Sequence, residues 1–118
     1  MRYFKPEEFA CPCCGDGADK MDQGLLQDLD AGRHMTGIPW VINSAYRCEK
    51  HNAEVGGVPG SAHTKGLAVD IAAQGSRQRF MIAQALLARG LTRIGVAETF
   101  VHVDKDTAKD QRVMWLYD

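Results

Sequence analysis

The 118-residue chain lacks the features that would assign it to a membrane or to nucleic acid. No stretch is apolar for long enough to cross a bilayer. There is also no dense cluster of Lys and Arg, and the formal net charge is -1. The N-terminal stretch MRYFKPEEFACPCCG carries acidic residues and a proline where a secretory signal needs an apolar run. We therefore expect no nucleic-acid and no membrane partner, and synthesis and folding in the cytoplasm.

Internal repeats and low-complexity tracts are absent as well. The composition is that of a globular protein, with 45% hydrophobic and 25% charged residues. A chain of this length has enough apolar material for one core and none to spare for a second. The sequence therefore predicts a single domain over residues 1–118, and we expect it to be a monomer.

Cysteine is scarce and unevenly placed. Three of the four cysteines, Cys11, Cys13 and Cys14, lie in CPCCG, and Cys48 follows much later. Cys11 and Cys14 have the C-x-x-C spacing of a metal or redox pair, but Cys48 has no such companion. A disulfide from Cys48 to the cluster is disfavoured in a reducing cytoplasm. Three alternatives stay open: reduced cysteines that pack a loop, a structural metal site and a disulfide.

Two long helices are predicted. The first begins after Asp22, a good N-cap, and ends near residues 35–37. The second begins at Ser76 as N-cap and ends at Gly90. Their inner faces, from helical spacing, are expected to hold Leu25, Leu26 and Leu29 in the first and Phe80, Ala83 and Leu87 in the second. Shorter helical segments are expected at Lys5–Phe9 and within AYRCEKHNAEVGG.

Strands are predicted from alternation and from turn residues. They lie in IPWVINS, in GLAVDIAA, on both sides of residues 97–99 in TRIGVAETFVHVD, and in RVMWLYD. VPGSAHTK is expected to be a loop. Two or three helices packed with these short strands make an α+β fold with a small, mostly antiparallel sheet.

Strand phase brings chemically active side chains to one face. In GLAVDIAA the alternation sends the large apolar residues to the core and leaves Asp70 on the opposite face among alanines. In FVHVD the same alternation groups His102 and Asp104 with Phe100 on the face away from the core. If the two strands are neighbours, Asp70 and His102 project from the same surface. His63 comes from the loop that leads into the first of these strands.

Two imidazoles and one carboxylate on one surface are the ligands that a catalytic zinc ion needs. Such an ion takes three protein ligands and keeps a fourth position for water, whose pKa it lowers to about 7. We therefore predict that His63, Asp70 and His102 bind Zn2+ and that the chemistry is metal-assisted hydrolysis of an amide. His34 and His51 are expected to lie elsewhere, at a helix end and on an exposed helix face.

SAYR, SAHTKGLAVDI and FVHVD resemble motifs of the zinc D-Ala-D-Ala carboxypeptidases, peptidase family M15. That family shares its fold with VanX-type dipeptidases, phage endolysin peptidases and the hedgehog signalling domain. Its pattern is S-x-H-x-x-x-G-x-A-x-D, followed by a late H-x-D or H-x-H. Ser61, His63, Gly66, Ala68 and Asp70 follow this pattern in order, with one difference: Gly66 stands three residues after the histidine. FKPEEFACPCCG and YRCEKHNAEVGGVPGSAH are similar to the small phage and bacterial branch, so the resemblance spans nearly all of the chain.

The resemblance implies the same three zinc ligands and further site residues. Arg47, in the YR motif, is expected to bind the substrate carboxylate or the developing oxyanion. Ser61 either hydrogen-bonds near the site or caps the loop turn. The family places a general base about three residues before the last histidine, where this chain has Thr99. Glu98 is the first candidate for the base if a bend or bulge turns it inward, and Asp104 is the reserve or else orients a neighbouring group.

The function that the resemblance implies is a zinc peptidase for the stem peptides of peptidoglycan, of the D-Ala-D-Ala carboxypeptidase or L-Ala-D-Glu endopeptidase type. We expect it to act at the cell wall or periplasm, in phage lysis or wall remodelling. A second hypothesis is a zinc-containing module that binds cell wall or protein without turnover, which Thr99 favours. A third is a structural cysteine–zinc module centred on CPCCG.

Overall fold

The computed structural model describes residues 1–117 and has an α+β fold, as predicted. The helices are α1 (Gln23–Thr36), α2 (Glu49–Glu54) and α3 (Gly75–Ala88). The strands are β1 (Ile42–Ser44), β2 (Ala68–Ala72), β3 (Arg93–Val96), β4 (Phe100–Asp104) and β5 (Val113–Leu116). Short 3-10 turns span Pro6–Phe9, Ala18–Lys20 and Ala62–Lys65. Among residues 1–117 no helix is both long and apolar enough to span a bilayer.

The five strands form one sheet in the order β1-β2-β4-β3-β5. Every neighbouring pair is antiparallel except β3 and β5, which run parallel at one edge. The prediction of a mostly antiparallel sheet is therefore confirmed. β4, the strand that carries FVHVD, lies in the centre of the sheet and pairs with β2, the strand that carries the Asp70 segment. The prediction that Asp70 and His102 share one surface required these two strands to be neighbours, and they are.

The hydrophobic core lies where α1 and α3 meet one face of the sheet. Valine and isoleucine side chains of β2, β3 and β4 supply the sheet side of the core, namely Val69, Ile71, Ile94, Val101 and Val103. Leu25, Leu26 and Leu29 supply the α1 side, as predicted. Because side chains alternate along each strand, the residues between these valines and isoleucines point away from the helices.

The predicted start of α1 is confirmed in detail. The Asp22 carboxylate accepts a hydrogen bond from the Leu25 N–H at 2.8 Å, which satisfies one of the free donors of the first turn. The helix ends before Gly37, whose φ of 68° places it in the left-handed region that glycine adopts without strain. His34 lies in the last turn and hydrogen-bonds the Tyr3 hydroxyl.

The inner face predicted for α3 is wrong, because a different side of the helix faces the core. Phe80 and Leu87 are 64% and 50% exposed, and only Ala83 of the expected set packs partly against the core. The buried residues are instead Ile82, Ala85 and Leu86. Apolar residues lie all around this helix, so spacing alone does not identify the buried face.

The predicted ends of three elements also differ from those observed. α3 begins two residues earlier than expected, at Gly75, so Ser76 lies inside its first turn rather than at the N-cap. β1 is only three residues long, and a bulge within it interrupts its pairing with β2. β5 lies within the predicted last strand, of which Asp118 is outside the described residues.

Candidate metal centre

His63, Asp70 and His102 come together on the face of the sheet opposite the helices. Asp70 and His102 are direct partners across β2 and β4, and His63 reaches them from the 3-10 turn just before β2. Each offers a ligand atom, and these atoms lie within 4.8 Å of one another. His102 Nδ1 is 2.8 Å from Asp70 Oδ1, and His63 Nε2 is 3.4 Å from Asp70 Oδ2. The expected juxtaposition is therefore observed, while the metal-binding role stays a prediction.

The orientation of His63 is set by a backbone carbonyl. His63 Nδ1 lies 2.8 Å from the carbonyl oxygen of Ala45, which can only accept a hydrogen bond. Nδ1 therefore carries the proton, and Nε2 keeps its lone pair on the side of Asp70. This tautomer suits a metal ligand, because the donor atom of the imidazole must be unprotonated.

The turn that carries His63 depends on two small residues. Ser61 is the N-cap of this turn, Ala62–Lys65, and its hydroxyl accepts the His63 N–H at 3.3 Å. Of the two roles left open for Ser61, the structure therefore displays the capping one. Gly66 ends the turn with a φ of 71°, and a Cβ there would lie 1.9 Å from the carbonyl oxygen of Lys20. The glycine of the sequence motif is thus required for both conformation and space.

His102 is held between two carboxylates. Its Nδ1 faces Asp70, and its Nε2 lies 2.7 Å from Asp104 Oδ2. Asp104 is buried, and its other oxygen accepts hydrogen bonds from Arg93 Nε at 2.7 Å and from the N–H of Asp106 at 3.0 Å. Both oxygens of Asp104 are therefore engaged, and this geometry suits a residue that orients His102.

The carboxylates and the imidazole favour each other's charged forms. Burial would raise the pKa of Asp70, but the contacts with His102 and His63 outweigh it and hold this pKa well below its usual range. Burial would lower the pKa of His102, yet the hydrogen bonds with Asp104 and Asp70 raise it. The pKa of Asp104 is lowered because the contacts with His102 and Arg93 outweigh its burial. Asp70 is consequently a carboxylate at neutral pH.

Arg47 lies beside the cluster, while its role in binding substrate stays a prediction. Its Nη2 is 3.7 Å from Asp70 Oδ2, and its side chain is mostly buried. Nε donates to the Ser44 hydroxyl at 3.0 Å, and Nη1 donates to Asn52 Oδ1 at 3.1 Å. Asn52 is itself fixed by donating to the Val58 carbonyl at 2.9 Å. The guanidinium is therefore held in place as a permanent positive charge, and a surface ion pair does not describe it.

A cavity of about 340 Å³ opens above these groups. Its lining includes the whole cluster together with Phe100, Lys109 and Tyr117. A cavity of about 540 Å³ lies beside the N-terminus and α1, but its Asp30 carboxylate already accepts the N–H groups of Arg2 and Tyr3. The cavity over Asp70 is therefore the better candidate for a substrate site.

Two aromatic residues, Trp115 in β5 and Tyr117 just after it, lie near His102, and sequence analysis missed them. The ring of Trp115 is 5.5 Å from that of His102 between centroids, and the ring of Tyr117 is 6.5 Å away. Both stand over Gly95, where a Cβ would lie 2.6 Å from Trp115 Nε1. Alternation in RVMWLYD places the two aromatic residues on one face, but the parallel pairing with β3 is a long-range feature without a local signal.

Glu98 is not brought to the cavity. It lies in the tight turn between β3 and β4, its side chain is exposed, and it is not among the lining residues. The pairing of Arg93–Val96 with Val101–Asp104 runs without a bulge, so the shift that would turn Glu98 inward is absent. Its role as the general base stays a prediction, and its exposed position counts against it.

A family model described as Peptidase M15 matches residues 2–104. The matched range includes the three clustered residues and Arg47, and it ends at the last residue of β4. No curated protein matches the chain.

Proposed function

Because the chain belongs to the peptidase M15 family, we propose that it is a zinc peptidase that hydrolyses amide bonds in the stem peptides of peptidoglycan. The bond would be of the D-Ala-D-Ala carboxypeptidase or L-Ala-D-Glu endopeptidase type. The observation that carries the proposal is the convergence of two imidazoles, one carboxylate and one arginine in a single cavity. Site chemistry as well as family membership therefore supports it.

The donor set fits zinc. His63 offers Nε2 because its Nδ1–H is bound to a carbonyl, and His102 offers Nδ1 because its Nε2 is bound to Asp104. Asp70 adds a carboxylate oxygen between them. Two nitrogens and one oxygen match the ligand sets of catalytic zinc sites, and bound Zn2+ supplies a water of lowered pKa and polarises a carbonyl.

Arg47 is the proposed binding group for a substrate anion. Three of its nitrogens face Ser44, Asn52 and Asp70, and the side chain lines the cavity. The stem peptides are short and carry free carboxylates, which a fixed guanidinium can bind through two hydrogen bonds. Ser61 lines the same cavity and keeps the turn that carries His63 in place.

Asp104 is proposed as a positioning residue. Both of its oxygens are engaged by His102, Arg93 and the Asp106 N–H. A carboxylate that accepts a hydrogen bond from a ligating imidazole fixes the tautomer and orientation of that ring. The proton acceptor for the attacking water is then Glu98, if the β3–β4 turn moves, or a group other than Glu98 and Asp104.

A second candidate function is a zinc-containing module that binds cell wall or protein without turnover. Two observations favour it. Thr99 stands where the M15 resemblance expects the base, and neither Glu98 nor Asp104 presents a free carboxylate to the cavity. In this second function the protein binds zinc at the same site but does not hydrolyse a peptide bond.

One experiment separates the two candidates. The zinc-loaded protein is incubated with purified cell walls, with and without a chelator. New amino groups are quantified, and the masses of released fragments are measured by mass spectrometry. Chelator-sensitive release supports the peptidase, and the fragment masses distinguish loss of D-Ala from cleavage after L-Ala. Zinc binding with no release supports the binding module, and a matched His102→Ala variant should release nothing in either case.

We also propose that the protein acts as a monomer on the cell wall or in the periplasm and has no nucleic-acid or membrane partner. One chain supplies every group named in the cavity, which agrees with a monomer. Sedimentation at working concentration, with and without wall fragments, tests the oligomeric state.

A further inference from the structure

Three cysteine thiols converge outside the cavity described above. The sulfur atoms of Cys11, Cys14 and Cys48 lie within 4.8 Å of one another. The Sγ atoms of Cys11 and Cys48 are 3.7 Å apart, and all four cysteines of the chain are free thiols. The cluster joins the N-terminal loop to the residue immediately after Arg47, although 37 positions separate Cys11 from Cys48.

The CPCCG segment forms a closed loop that fixes two of the thiols. The Cys11 N–H donates to the Asp16 carbonyl at 2.6 Å, and the Gly15 N–H donates to the Cys11 carbonyl at 2.9 Å. Gly15 has a φ of 80°, which a glycine adopts without strain. The C-x-x-C spacing is the one that metal-binding loops use to direct two sulfurs to one ion.

Backbone N–H groups are directed at the sulfur atoms. The Cys48 N–H donates to Cys11 Sγ at 3.5 Å, and the His51 N–H donates to Cys48 Sγ at 3.4 Å. Backbone N–H donors directed at sulfur in this way stabilise negative charge on it, and thiolate is the form that binds metal.

We propose that Cys11, Cys14 and Cys48 bind one structural Zn2+, separate from the centre formed by His63, Asp70 and His102. Thiolates are soft ligands that select zinc over magnesium or calcium, and three of them converge on one point here. Cys13 is exposed and lies outside the group of three. The ion fastens the N-terminal loop to the segment that holds Arg47.

A disulfide between Cys11 and Cys48 is the rival arrangement. A disulfide needs the two sulfurs about 2.05 Å apart, closer than the separation observed. It would also use only two of the three thiols that converge and leave Cys14 unbonded. The number of free thiols in the denatured protein, purified without reductant, distinguishes the two: four support the zinc site, and two overturn it.

Metal content tests the proposal on the full chain. Elemental analysis after dialysis against buffered zinc should give two zinc ions per wild-type chain and one in His63→Ala, the ion that remains being the thiolate-bound one. Cys48→Ser should lose one ion, and Cys13→Ser, a matched control for an exposed thiol of the same loop, should lose none. Equal loss of zinc from Cys13→Ser and Cys48→Ser would contradict the assigned ligands.

Cobalt substitution keeps the test decisive if Cys48→Ser fails to fold. Thiolate-bound Co2+ has an intense near-ultraviolet charge-transfer band that nitrogen and oxygen ligands do not produce. Wild-type protein, His63→Ala and Cys13→Ser loaded with Co2+ should all display this band, and titration with a mercurial thiol reagent should abolish it. Absence of the band from folded, cobalt-loaded wild-type protein would overturn the proposal.

Discussion

Asp70 and His102 face each other across β2 and β4, with His102 Nδ1 2.8 Å from Asp70 Oδ1. The two residues are directly paired in the central part of the sheet, so the backbone ladder itself fixes their separation. Their side chains need little reorganisation to meet an ion, because both are already on one face and largely buried.

Asp70→Asn should therefore empty the metal centre without unfolding the protein. The amide preserves the size of the side chain but removes the negative charge that balances the metal, so zinc affinity should fall by more than the about 10–100-fold that loss of an outer-shell partner costs. Chelator competition measures the affinity, and wall hydrolysis should fall with it. His51→Ala, which changes a histidine outside the cluster, is the control and should keep both. Full zinc affinity in Asp70→Asn would contradict the assignment.

Asp104→Asn should weaken zinc binding through the tautomer of His102. The amide oxygen can still accept from Arg93, which directs the NH2 group at His102 Nε2. His102 must then carry its proton on Nδ1, the atom that faces Asp70, and this blocks coordination. We expect a loss in zinc affinity of about 10–100-fold. Thermal unfolding of the metal-free protein provides the comparison, since a merely structural role would lower its Tm and leave zinc affinity unchanged.

Glu98→Gln tests the general base. The exposed position of Glu98 leads us to expect that turnover and zinc content both stay near wild type. Wall hydrolysis and elemental analysis measure the two. Loss of turnover with zinc retained would instead support the sequence-based prediction that Glu98 takes the proton from the attacking water, and it would require the β3–β4 turn to move.

Arg47→Lys should raise KM more than it lowers kcat. A lysine keeps the charge, but it cannot hold the hydrogen bonds to Ser44 and Asn52 at the same time as a substrate carboxylate. The loss should be large for a peptide with a free C-terminal carboxylate and small for the same peptide amidated. Equal losses for both peptides would assign Arg47 to the oxyanion rather than to the carboxylate.

Asp106→Asn tests a buried ion pair near the site. Asp106 is buried and accepts from Lys65 Nζ at 3.0 Å and from the Ala108 N–H at 3.1 Å. Burial would raise the pKa of Asp106, but these contacts lower it. The carboxylate thus stabilises the fold above its unfolded pKa of about 4, and this contribution is lost as the pH falls through the lower folded pKa.

Urea unfolding at several pH values measures this contribution. Asp106→Asn should cost about 1–3 kcal/mol at pH 7, and the difference from wild type should shrink as the pH falls below about 4. Glu7→Gln, at an exposed carboxylate, should leave the stability difference near zero throughout. A cost for Asp106→Asn that does not change with pH would indicate that packing, rather than charge, is lost.

Local sequence patterns predicted the parts of the molecule that depend on local physics. The cap at Asp22 and the alternation around Asp70 and His102 need only neighbouring residues, and both were confirmed. Phe80 was misplaced because the apolar residues of α3 do not single out one face. The position of Trp115 depends on a parallel pairing between distant segments, which no short pattern contains.

Gly95 leaves room for two aromatic rings next to the three clustered residues. Gly95 has no Cβ, and a Cβ there would collide with Trp115 and Tyr117. Their rings can therefore rest directly on the sheet beside His102. These rings belong to a segment beyond the range matched by the family model, whereas His63, Asp70 and His102 lie within it. In the proposed peptidase, the aromatic rings and the candidate metal ligands are thus carried by separable pieces of chain, and we expect exchange of the edge segment to change the preferred peptide while the metal site is kept.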